Sequence, residues 1–157
     1  MGEIHIRLGR PDDSARIAVI QRASRAAAMP WLPVLHTPVQ EFDFFSGLVE
    51  STTTYVAEVG GAELGGDVVG FAIVDAAGTE LEHLYLDPSF RRVGIGSALL
   101  ARVRETFDGP LELWVFADNV DARAFYAAHG AQELFSTDGS DNEERTPDVR
   151  LLLPRLR

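Results

Sequence analysis

The chain has 157 residues, of which 46% are hydrophobic and 24% charged, a mix that suits one folded domain with a single core and argues against disorder. Its formal net charge of −10 argues against nucleic-acid binding, which needs cations for the phosphates, and favours cationic partners at long range. The absence of cysteine excludes disulfides and a Cys nucleophile; no run approaches a membrane span and Met1 to Arg10 holds no secretory core, so a cytoplasmic protein is expected.

Ile4, Ile6 and Leu8 alternate with His5 and Arg7 and predict a first strand. Pro11 then opens a helix with Asp12 and Asp13 in its first turn, and Ile17 and Ile20 carry it to about Ala28. Met29-Pro30-Trp31-Leu32-Pro33 breaks it. Thr37-Pro38-Val39-Gln40 reads as a capping box with Pro at N1, starting a helix through Phe42, Phe45, Leu48 and Val49. Strands from Tyr55 to Val59 and Val68 to Val74 flank a glycine-rich turn, Gly60 to Gly66. Leu81 to Leu86 is a further strand, Asp87-Pro88 a turn, and a glycine-punctuated loop leads into a helix from Gly96 to about Phe107. Leu111, Leu113 and Val115 alternate with Glu112, Trp114 and Phe116 as a strand; Asp118 or Asn119 caps the next helix, which Gly130 ends. Gln132 to Ser136 and Val149 to Leu153 are strands joined by a polar loop.

The loop into the helix at Gly96 carries the clearest chemistry. A helix start offers backbone N–H groups without helical partners and the positive end of the dipole, which together attract phosphate. Gly94 and Gly96 let the backbone approach a ligand, and Arg91 and Arg92 add positive charge. No Lys-Ser/Thr follows the second glycine and no third glycine stands at the dinucleotide offset, so neither an NTP loop nor a Rossmann loop fits.

Arg91-x-x-Gly94-x-Gly96 resembles instead the pyrophosphate signature Gln/Arg-x-x-Gly-x-Gly/Ala of the GNAT superfamily of acyl-CoA-dependent N-acetyltransferases. Leu84-Tyr85-Leu86-Asp87-Pro88 is similar to the strand and turn that precede it in that family. Asn119-x-x-Ala122-x-x-Phe125-Tyr126-x-x-x-Gly130 resembles a second GNAT signature, with one departure at Ala131, where many members place an aromatic. The order of elements is similar across nearly the whole chain. The resemblance implies an α/β (α+β) fold with a mixed, mostly antiparallel sheet of about seven strands, flanked by about four helices and splayed between its two central strands. It implies a single N-acetyltransferase domain over residues 1–157.

The resemblance also implies acetyl-CoA as donor. Backbone amides of Arg92, Val93, Gly94, Ile95, Gly96 and Ser97 would hold the pyrophosphate, with Arg91 beside them. Backbone groups of Leu84 and Leu86, flanking Tyr85, would pair with pantetheine, and Asn119, Ala122 and Phe125 would complete the cofactor face. Tyr126 is the candidate general acid, since a phenol of ordinary pKa stays protonated at neutral pH. Glu82 is the first candidate base and Glu80 the second; strand alternation places both on the face of Leu84 and Leu86, with His83 on the other. Glu82, Glu80, His83 and water all stay open as the base, and His83 reads as a structural hydrogen-bonding residue.

His5, His36 and His129 lack metal-ligand spacing, so no metal is expected, and His129 suits the C-terminus of its helix. Met29, Trp31, Leu35, Phe42 and Phe45 belong to the acceptor region and are expected mostly in the core, with Trp31 as a lid or wall. The polar loop from Ser136 to Asp148, rich in Asp and Glu, reads as a solvated loop or as an attractor for a polyamine, aminoglycoside or basic peptide. Two functions follow: transfer of acetyl to a primary, cationic amine by direct attack in a ternary complex, or a non-catalytic acyl-CoA-binding regulatory module. A homodimer through the C-terminal strand is compatible with either.

Overall fold

A computed structural model describes residues 3–60 and 66–156. Its elements follow the order β1 (Ile4–Leu8), α1 (Ser14–Ala28), α2 (Pro38–Ser51), β2 (Thr53–Val59), β3 (Asp67–Val74) and β4 (Leu81–Leu86). Then come α3 (Ile95–Thr106), β5 (Leu111–Phe116), α4 (Val120–Ala128), β6 (Gln132–Thr137) and β7 (Asp148–Leu153). The glycine-rich turn expected after β2 lies largely at residues 61–65, outside the described residues.

The local signals act as anticipated at most helix ends. Thr37 and Gln40 close a reciprocal capping box at α2, and Asn119 accepts from the Ala122 N–H at the start of α4. Gly130, just past α4, takes a φ of +86°, a conformation that costs glycine little. The first helix opens with Pro11 at N1 and Asp12 and Asp13 in its first turn, as expected; that turn, Pro11–Asp13, is 3-10 and passes directly into α1 at Ser14. The Asp13 carboxylate accepts from the Arg10 N–H at 2.7 Å, an N3 contact to the cap residue, and from Arg7 at 2.8 and 2.9 Å.

Strands β1, β2, β3 and β4 pair antiparallel in that order, and β5, β7 and β6 form a second antiparallel sheet. The two sheets meet where β4 and β5 run side by side. A single parallel bridge, Glu80 to Glu112, joins them there, with the Glu112 N–H donating to Thr79 at 3.0 Å. Beyond that point the strands diverge into the splay that the family resemblance implied. The sheet is thus mixed, mostly antiparallel and seven-stranded among the described residues, with four α-helices.

Two cores hold this frame. On one face Leu99, Leu100 and Val103 of α3 pack on Val69, Leu81, Leu111, Leu113 and Leu151. On the other, Ile17 and Ile20 of α1 and Phe45 and Val49 of α2 pack on Val56, Phe71 and Ile73. The full burial of Phe45, Phe71, Leu99 and Leu113 is the main stabilising contribution, at roughly 1.5–3 kcal/mol for each such side chain.

One irregularity in β4 bears directly on the chemistry. Pairing with β3 passes from Ile73–His83 to Val74–Leu81, so Glu82 is an extra, bulged residue. Leu81 therefore joins the same core as Leu84 and Leu86. The strict alternation that placed Glu80 and Glu82 together does not survive the bulge. Glu80 leaves the face of Leu84 and Leu86 and pairs with Arg150 of β7, which also reaches Glu112 and lies over the Trp114 ring.

Candidate active site

The chain leaves β4 at Leu86 and is turned by Asp87. One carboxylate oxygen of Asp87 accepts from the Ser89 N–H at 2.9 Å and the other from Arg16 at 2.7 Å. These bonds, the Ser89 N–H foremost, hold its carboxyl below the usual range. Arg92 then adopts a φ of +62° and Gly94 one of +90°, and Gly94 directly caps α3. A Cβ on Gly96 would stand 3.3 Å from the Phe125 ring, so the first turn of α3 rests on α4 at a distance only glycine tolerates without repacking. Arg91 donates to Asp121 of α4 at 2.9 Å, and Arg92 lies 3.9 Å from the same carboxylate.

This loop forms one end of a cavity of about 490 Å³ that runs into the splay. Arg91, Arg92, Gly94, Gly96 and Ser97 line that end. The walls beyond are Leu84, Tyr85 and Leu86 of β4 on one side and Asn119, Ala122, Phe125 and Tyr126 on the other. The Asp87 N–H donates to Val69 of β3 at 2.7 Å, and backbone direction alternates along a strand. The N–H and C=O groups of Leu84 and Leu86 are therefore directed away from β3 and into the splay. Of the residues expected here, Val93 and Ile95 do not line the cavity: Ile95 is fully buried in the core and Val93 is exposed outside it. Only their backbone can serve. Ser24 and Ala28 of α1 close the cavity from above and were not anticipated. Their spacing of four residues with small side chains is the one trace of this role in the sequence.

A second cavity, of about 540 Å³, opens on the other side of the splay. It shares Met29, Leu84, Tyr85, Asn119, Ala122 and Tyr126 with the first, so the two meet at these residues. Tyr126 is 7% exposed, and burial with the neighbouring Tyr85 raises its phenol above the ordinary value. Glu82 lines the second cavity, where partial burial, then the charges of Glu80 and Asp75, raise its carboxyl. Glu80 is held by Arg150 and does not line either cavity. His83 lines the second cavity and packs edge-on against Phe44 and Phe45; its Nδ1 is buried with no partner among the described residues, and burial pushes it down to about 4. The structural hydrogen bond expected of it is therefore not formed at Nδ1 among the described residues. His129 likewise departs from the expected helix-end cation: its Nε2 meets Ser97 Oγ at 3.1 Å, and burial followed by Arg104 lowers its pKa.

In the late loop Asp138, Asp141 and Glu143 stay exposed as expected of a solvated loop, but its backbone is held by internal hydrogen bonds. Asn142 donates to Thr146 at 2.6 Å and to Asp148 at 3.1 Å, the Thr146 N–H returns to Asn142 at 3.1 Å, and Thr137 bonds Asp148. Gly139 lies so close to Thr146 that a Cβ would approach its carbonyl carbon to 2.3 Å. Outward contacts run from Glu144 to Arg25 of α1 at 2.8 Å and from Glu143 to His36. Folded this way, the loop presents Asp141, Asn142 and Glu144 to the second cavity, across from Trp114 and Phe135. In the acceptor region, Met29 and Phe45 are buried but Trp31, Leu35 and Phe42 are exposed. Met29, not Trp31, is the wall residue.

A glycine-capped helix start beside two arginines, open strand edges in a splay and a buried tyrosine at the junction of two cavities are thus brought together. The family model described as "Acetyltransferase (GNAT) family" matches residues 20–131, which include all of these. The chain belongs to the GNAT acetyltransferase family. It is 44% identical over 63 residues to a mycothiol acetyltransferase of Salinispora arenicola (strain CNS-205), covering 38% of this chain and 20% of that protein. It is 41% identical over 86 residues to a mycothiol acetyltransferase of Clavibacter sepedonicus, covering 51% of this chain and 28% of that protein. The chain thus spans less than a third of the length of these curated relatives. The solution structure of apo-form YjaB from Escherichia coli shares the fold with a TM-score of 0.76 at 21% identity, covering 96% of this chain and 97% of that one. Among the described residues of this GNAT protein, no helix is long and apolar enough to cross a membrane, and no cluster of three or more His, Asp or Glu side chains is placed to hold a metal.

Proposed function

We propose that this protein transfers an acetyl group from acetyl-CoA to a primary amine by direct attack in a ternary complex. The observation that carries the reading is the meeting of two cavities at Tyr126, one ending in an anion-binding loop and the other edged with carboxylates. The residues present fit acetyl-CoA: the positive φ at Gly94 and the missing Cβ at Gly96 leave backbone N–H groups of residues 92–97 free to hold a pyrophosphate. Arg91 and Arg92 supply charge for it. The strand-edge groups of Leu84 and Leu86 would bond the pantetheine arm as an added strand does. Asn119 Oδ1 caps α4, which leaves its amide N–H groups as donors toward the same arm.

Bound acetyl-CoA supplies the activated acetyl group. The chain's own residues hold and move protons around it. An amine entering the second cavity arrives mostly protonated at neutral pH, and Glu82 accepts the proton that must leave before attack, directly or through water. Its raised pKa makes it a better base than an ordinary carboxylate. A backbone N–H of β4 stabilises the charge that grows on the carbonyl oxygen. Tyr126, kept protonated by burial, donates to the leaving sulfur. Carboxylates at Glu82 and Asp141 favour a cationic acceptor, and Trp114 and Phe135 favour one with apolar groups beside its amine.

The test is thiol release from acetyl-CoA against a panel of primary amines, from simple alkylamines to diamines and peptide N-termini. Release that depends on an amine and yields the N-acetyl product is expected. Tight CoA binding with no release on any amine would instead support the acyl-CoA-binding module.

A further inference from the structure

Arg25 stands where separate parts of the site converge. It lies on α1, donates from Nη2 to Glu144 Oε2 of the late loop at 2.8 Å, and sits 5.7 Å from the ring centre of Phe116 at the end of β5. Its charge also faces the phenol of Tyr85 on β4, favouring the ionised form that burial opposes. The Arg25 and Glu144 side chains keep 26% and 13% of their exposure, and Arg25 Nε is buried with no partner among the described residues. The proton and acetyl movements assigned above do not pass through Arg25.

The topology gives this ion pair a specific task. Helix α1 packs on β3 and β4 of the first sheet, whereas the late loop belongs to the hairpin of β6 and β7 in the second. The sheets are joined at the narrow end of the splay by the Glu80–Glu112 bridge. Arg25 and Glu144 join them again beside Tyr85 and Phe116, at the open end. The loop's other contact with the helical layer, Glu143 with His36, is half exposed on both sides and contributes little. A guanidinium held between a carboxylate and an aromatic face is also better ordered than a simple surface pair.

We propose that Arg25 is a positioning residue: paired with Glu144 and set against Phe116, it latches the late loop over the acceptor cavity. The effect on turnover rests on the acetyltransferase reading above; the latch itself does not.

The experiment uses the whole chain with Arg25→Met, Glu144→Gln, the double variant and Arg25→Lys. Amide hydrogen exchange of residues 138–147 is measured in the free protein, CoA affinity by calorimetry, and acceptor KM and kcat with the amine from the panel that turns over fastest. Arg25→Met and Glu144→Gln are each expected to speed exchange in residues 138–147 and to raise acceptor KM roughly tenfold, within the range of coupling seen for contacting residues, while CoA affinity stays within about twofold. The double variant is expected to be no worse in KM than Arg25→Met alone, and Arg25→Lys to recover part of the loss. Unchanged exchange in residues 138–147, or KM effects that multiply in the double variant, would overturn the latch. Should Arg25→Met fail to fold, Glu144→Gln gives the same reading from the loop side. Faster exchange in the variants together with no turnover by the wild type on any amine would uphold the latch and sink the acetyltransferase reading.

Discussion

The first cavity, proposed to take the donor, is built around one short stretch, residues 84–97, whose strand-edge groups, loop amides and helix start all belong to the backbone. The second cavity, proposed to take the acceptor, is lined by side chains scattered between Met29 and Asp148, on β4, β5, α4, β6, the late loop and the start of β7. The difference teaches where each kind of specificity is encoded. Backbone recognition needs only the right φ values at a few glycines, so it is local in sequence. Side-chain recognition needs the fold to bring distant residues together, so each is ordinary when read alone.

The comparison breaks most completely if the donor backbone can be altered without loss. Proline fixes φ near −65° and Gly94 sits at +90°, so Gly94→Pro is expected to weaken CoA binding by at least about 100-fold, measured by calorimetry, while circular dichroism retains a folded signal. Near-normal affinity would remove the loop from the donor site. A smaller but sharper effect is expected at the junction. Tyr126→Phe removes the proton donor and nothing else, so kcat should fall by about 10²-fold with CoA affinity unchanged. Equal turnover would leave Tyr126 a packing residue of α4.

On the acceptor side, Glu82→Gln is expected to lower kcat about tenfold at neutral pH, the lower part of the range for a general base assisted by water. Its pH dependence follows from the raised pKa. The carboxylate exists only above that pKa, so wild-type kcat should decline as pH falls through a value higher than an ordinary glutamate would give. That limb should be absent in Glu82→Gln; its persistence would assign the proton to another group. The smallest effect belongs to Glu80→Gln. With its carboxylate committed to Arg150 and outside the lining of both cavities, turnover should change by less than about threefold, the size expected of a partly exposed ion pair. A loss as large as that of Glu82→Gln would return Glu80 to the chemistry.

How much of the site was legible depended on distance along the chain. Asn119 as the cap of α4, Gly130 as its end and the capping box of Thr37 and Gln40 follow from interactions within four residues. Arg91 and Gly94 could likewise be read from their place before a helix. Glu80 and Glu82 were misread as one face because alternation assumes an unbroken ladder, and the bulge depends on how β3 pairs with β4. The late loop was read as solvated because its charges are dense. Glu144 acquires a partner only from Arg25, 119 residues away, and Asp148 from Asn142 and Thr137. Trp31 drew attention by its size, but it is exposed and the inconspicuous Met29 fills the junction.

By itself the sequence determined the order of elements, the donor loop and the tyrosine helix, because periodicity, caps and glycine conformations act over a few residues and tolerate little substitution. The tertiary structure alone decided that two sheets meet at Glu80 and Glu112 and part beyond them, that Glu82 and not Glu80 faces the cavity, and that Arg25 reaches Glu144 across the gap. These depend on register and on long-range pairing, which are set by the packing of both cores at once and leave no mark on neighbouring residues.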